Sequence, residues 1–183
     1  MSVIRQTKEA EDSLLKGLLK IGSEQWGISQ EQIIENMEKI GYHESKNIPS
    51  AESPWDDMGM FQYGIGKKQS ANVAFNRLKY IIEEGALKGH KTPLWFDDFI
   101  ASNYNMATLD PKQQKTLFMA DKLRMGDVMK EVDDPDELRD FWFKYHWKGL
   151  PGILSGKSKG QDITTIIKRL NSFNQSMEDY KKQ

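Results

Sequence analysis

The chain has no cysteine among its 183 residues. Disulfides and thiol nucleophiles are therefore excluded, and the redox compartment stays open. Histidine is scarce: the three present do not sit with other donors at ligand spacing, so no metal site is expected. Charge of one sign is missing too, because 26 Lys and Arg face 27 Asp and Glu, a formal net charge of -1. That balance gives no electrostatic case for nucleic acid or an anionic membrane surface as partner. No apolar run approaches a membrane span. The polar, mixed-charge stretch Met1 to Ser13 does not read as a signal peptide. No cofactor is expected either. The glycine-rich Tyr63-Gly64-Ile65-Gly66-Lys67-Lys68 lacks the spacing of a phosphate loop and reads as a turn.

What is present is an ordinary globular composition, with 38% hydrophobic and 29% charged residues. The length fits one domain spanning 1–183. Leu14, Leu15, Leu18, Leu19 and Ile21 recur at helical spacing, so a first amphipathic helix is expected over Lys8 to Trp26. This helix either packs on the domain or docks to a larger particle. Ser70 to Glu84 reads as a helix with Val73, Ala74, Arg77, Leu78 and Ile81 along one side. Leu94 to Asn103 follows with Trp95, Phe96, Phe99 and Ile100. Asp110-Pro111 with Gln113, and Asp134-Pro135 with Glu137, each spell an N-cap, a first-turn proline and a capping-box partner. The first of these helices runs to about Met125, with Leu117, Phe118, Asp121 and Leu123 in its interior turns. Leu150 to Gly160 reads as a loop, and Asp162 to Tyr180 as a last amphipathic helix. The sum is a mainly α chain of about seven helices around one core.

The richest stretch runs from Ile40 to Gln62. Ser29 can cap a helix, and Ile33, Met37 and Ile40 then share one face, with Glu44 four residues further on. A helix that buries this face carries Glu44 to the edge of the core. Desolvation and the negative helix end would both favour its protonated form there. A carboxylic acid kept protonated near neutral pH can donate to a glycosidic oxygen. The plain alternative is a solvated surface glutamate. Polar and Pro-containing sequence follows, then Gly59-Met60-Phe61-Gln62. Gly59 would take a positive φ or permit close backbone approach, and Met60 and Phe61 would anchor the segment in the core.

Glu44-Ser45 followed by Gly59-Met60-Phe61-Gln62 resembles the signature of soluble lytic transglycosylases and goose-type lysozymes. Met60-Phe61 replaces the usual Leu-Met, and the resemblance covers about an eighth of the chain. It implies an α+β lysozyme-like fold with a short-stranded or irregular lobe, Ala51 to Gly66, after the catalytic helix. It implies a peptidoglycan glycosidase cutting the β-1,4 link between N-acetylmuramic acid and N-acetylglucosamine. Glu44 is then acid and base, and Ser45, Gln62 and Tyr63 are substrate-binding. Tyr104-Asn105 is similar to a Tyr-Asn pair of the same family, whose Tyr lies beside the catalytic Glu, although Met106-Ala107 departs from the usual small-Gly pair. The alternative reading of that pair is a helix end closed by Asn. A hydrolytic lysozyme using Asp57 as second carboxylate is the near alternative. A non-catalytic virion or tail protein of the same fold is the distant one. By family habit the source is a bacteriophage. Its partners are then the glycan strand and virion proteins, and its location the virion or the host cytoplasm before release.

Overall fold

The computed structural model describes residues 3–130, 132, 134–147 and 163–183, with residues 3–8 and 163 described by backbone alone. The Leu150 to Gly160 loop expectation lies outside the described residues. Where one domain was expected, the chain divides into two compact units, Met1–Gly126 and Asp127–Gln183.

The first unit opens with α1 (Val3–Trp26), which Gly27 closes at φ 71°. Gly22 lies buried within this helix rather than ending it. α2 (Gln30–Ser45) starts as its sequence says it should, with the Ser29 side chain accepting from Gln32 N at 3.1 Å. The lobe that follows is a two-stranded antiparallel ribbon, β1 (Asp57–Met58) and β2 (Tyr63–Gly64), in register Asp57↔Gly64 and Met58↔Tyr63. Tyr63-Gly64 is thus strand, not the turn expected from its glycines. α3 (Ser70–Glu83) buries Ala71, Ala74, Phe75, Leu78, Ile81 and Ile82. Val73 was expected on that face but is exposed, because the true stripe lies one residue on and includes Phe75. α4 (Trp95–Ala101) buries Trp95, Phe96 and Phe99 and leaves Ile100 out. A 3-10 turn, Met106–Thr108, leads into α5 (Pro111–Leu123).

α5 is the axis of this unit. Its Asp110 capping box is complete, and every residue from Thr116 to Leu123 is buried. A helix buried all round needs neighbours on several sides. Here α1 and α3 both pack on it. The charged pair Asp121-Lys122 is therefore held inside, with Lys122 at 0% exposure.

In the second unit Asp134 completes the other expected capping box and starts α6 (Pro135–Phe141), which runs on into a π-helical turn, Trp142–His146. α7 (Ile163–Tyr180) meets it through Phe173, whose ring lies 5.1 Å from that of Trp142. Both rings are fully buried. The chain is mainly helical, with seven α-helices among the described residues. None of those helices is long and apolar enough to cross a membrane.

Candidate active site

Ile33, Met37 and Ile40 are all at 0% exposure, and one turn further on Glu44 is half-buried. α2 is then stopped by two left-handed residues, Lys46 (φ 58°) and Asn47 (φ 60°), whose N–H groups return to Tyr42 O and Gly41 O. A Cβ at Gly41 would meet Asn47 Oδ1, so any larger residue there must displace that side chain.

Ser45 joins the helix end to the second motif. Its hydroxyl lies 3.0 Å from Met60 O and 3.3 Å from Gly41 O, and it accepts from Ile48 N at 3.1 Å. The Gly59–Gln62 segment is pinned from three directions. Met60 N donates to Gln114 Oε1 at 2.7 Å, and the same buried amide donates to Pro49 O and Leu109 O, each at 2.9 Å. Phe61 packs on Phe118 of α5 with ring centroids 4.4 Å apart. Gly59 sits at φ 81°, where a Cβ would strike Gln114 Oε1 and come within 2.9 Å of Met106 Cβ. Both reasons for a glycine, backbone angle and close approach, apply at this position.

Gln62 takes a left-handed turn at φ 49°, and its amide nitrogen donates to Gly59 O at 2.8 Å, with Ala51 O at 3.5 Å. The donor end of this amide thus closes its own loop, and the carbonyl oxygen keeps its acceptor capacity. Tyr63 is 2% exposed and donates its phenol proton to Asp121 Oδ2 at 3.0 Å. The resemblance implies that Tyr63 binds substrate, but its phenol is buried and spent on Asp121.

Asp121 gathers three donors. Besides Tyr63 it accepts from Lys122 Nζ and Arg124 Nε, each at 2.9 Å. Burial by itself would raise its pKa, but the Lys122 and Arg124 charges prevail and lower it to about 2. Tyr63 is pushed well above 10, chiefly by burial, then by the charge and hydrogen bond of Asp121, and also by the charge of Glu44.

Asp57 stands on β1 opposite Gly64, and burial followed by the neighbouring Asp56 raises its pKa. Tyr104 and Asn105 reach the same loop through Asn103, whose carbonyl accepts from Gly66 N at 2.9 Å. The Tyr104 ring, however, lies among Phe75 and Phe99, at 5.7 and 5.8 Å. Asn105 caps the 3-10 turn by accepting from Ala107 N at 2.9 Å. That is a cap at the start of a turn and not the helix end closed by Asn that the sequence offered as the alternative, since α4 ends at Ala101 with Ser102 as its cap.

Gln114, Lys122 and Arg124 form the support of this site and were not singled out from sequence. Their signal is a polar or charged side chain inside an otherwise apolar helical run, Thr116 to Leu123 and its borders. The second unit holds a cavity of about 470 Å³ lined by Phe141, Tyr145, Lys144 and acidic neighbours, and it includes none of the expected site residues. Among the described residues no group of three His, Asp or Glu could hold a metal ion. No protein-family model, no curated protein and no solved structure matches this chain.

Proposed function

We propose that the chain is a peptidoglycan-degrading glycosidase of lysozyme-like fold that uses Glu44 as its acid and base. The carrying observation is the Ser45 hydroxyl on Met60 O, which fastens the Glu44-Ser45 helix end to the Gly59–Gln62 segment. Two short motifs that resemble one signature thereby share one place in the fold. In the transglycosylase route, Glu44 gives its proton to the glycosidic oxygen as the bond to C1 breaks. It then takes the proton of the C6 hydroxyl, and that oxygen closes on C1 to leave a 1,6-anhydro sugar. One carboxyl serves both halves. Under this reading the partner is the glycan strand, and a phage particle or its host cytoplasm is where the chain resides beforehand.

Hydrolysis has its own support in Asp57, a second and partly desolvated carboxyl on the ribbon that follows the helix. Glu44→Gln should abolish clearing of purified peptidoglycan while leaving the melting temperature unchanged. Full clearing by that variant rejects the assignment. Mass spectrometry of the released fragments separates the chemistries: anhydro ends for the transglycosylase, reducing ends for the hydrolase.

A further inference from the structure

Trp55 is 79% exposed, the largest exposure among the big hydrophobic side chains of the described residues. Tryptophan is normally well buried, so an indole left in water calls for a use. Its position is not accidental slack in a loose loop. Residues 52–58 form a small hairpin, bridged at Glu52↔Met58, with Ser53 N donating to Asp57 O at 2.9 Å. The Ser53 hydroxyl accepts from both Trp55 N and Asp57 N at 3.1 Å. Asp56 takes the left-handed angle, φ 60°, that turns the tip, and its carbonyl accepts from Ile65 N at 3.3 Å. Trp55 is thus carried at the apex of a turn tied down on both sides.

The neighbours narrow the ligand. Glu52 and Asp56 are exposed and Asp57 half-exposed, so the turn that carries the indole also carries three carboxylates. A flat apolar face with acceptors around it suits a sugar ring, which offers axial C–H groups on one face and hydroxyls at its rim. The same carboxylates repel an anionic lipid surface. The hairpin lies in the chain between Glu44 and Gln62, and β1 continues it into the candidate site.

We propose that Trp55 is a stacking platform for an N-acetylated hexose ring of the glycan strand, setting how the strand lies beside Glu44. The proposal rests on the glycan-cleaving reading given above. It is tested on the full chain carrying Glu44→Gln, which prevents turnover, titrated with the N-acetylglucosamine hexasaccharide and pelleted with purified sacculi. Adding Trp55→Ala should weaken binding about tenfold, and Trp55→Tyr should keep most of it, since stacking needs a ring rather than an indole. Both variants should melt with their parent, because the side chain is exposed. In the active chain, Trp55→Ala should raise KM and spare kcat. Equal binding by Trp55→Ala overturns the proposal, as does Trp55-dependent binding to phosphatidylglycerol vesicles in place of glycan. Trp55-dependent glycan binding by a chain that never clears wall keeps the platform and removes the catalytic role of Glu44. Clearing with an unchanged KM in Trp55→Ala does the reverse.

Discussion

At the scale of a residue, Asp121 accepts from Tyr63, Lys122 and Arg124 at once. Lys122 is fully buried, so removing its carboxylate leaves a cation in a dry interior. Asp121→Asn should cost about 3–5 kcal/mol in a urea titration at neutral pH. The sign with pH follows from the lowered pKa. Folded Asp121 titrates at about 2 against 3.8 for an unperturbed aspartate. Its contribution is therefore complete above 3.8 and is lost as pH falls toward 2. Stability of the parent should drop across that window, and Asp121→Asn should lack that part of the drop. Asp57 has the opposite sign. Its pKa is raised in the folded chain, so what it contributes is present at low pH and lost as pH rises through its titration. Asp57→Asn should raise the melting temperature at pH 7 and leave it nearly unchanged at pH 3. A fall at pH 7 would show that the ionised carboxyl is needed where it stands. Little of this was readable in advance. Asp121 could be placed in an interior turn by its neighbours, but Tyr63 lies 58 residues away, and nothing local says which acid meets which phenol.

At the scale of an element, the caps are the most legible feature. Ser29 and Asp110 sit at their helix starts as their sequences dictate, because a cap is decided within four residues. Asp110→Ala should cost about 1 kcal/mol by thermal melting. The α3 stripe was less legible, since helical spacing alone allows two overlapping faces and only packing selects Phe75 over Val73. The Gly59–Gln62 segment depends on a partner no local rule indicates. Gln114 reaches Met60, Pro49 and Leu109 from the first turn of α5. Gly59→Ala must move that amide while also straining φ, and should cost about 1–3 kcal/mol. Wild-type stability in that variant would mean that the loop is looser than these contacts imply.

At the scale of the whole molecule, the chain gathers into two compact units. Composition and length are silent on such a division, since both units are charged and helical. Glu44, Gln62, Tyr63 and Asp121 all belong to the first. Residues 1–126 expressed alone should fold and clear peptidoglycan, as judged by circular dichroism and turbidity. A soluble, folded and inactive fragment would place part of the activity in the second unit.

The first unit also has a latch at its exit. The indole N–H of Trp26, a residue only 1% exposed, donates at 2.7 Å to the carbonyl of Gly126, a hundred positions further along. The last residue of the first unit is thereby fastened to the last residue of its first helix, so the unit opens and closes on one shared anchor.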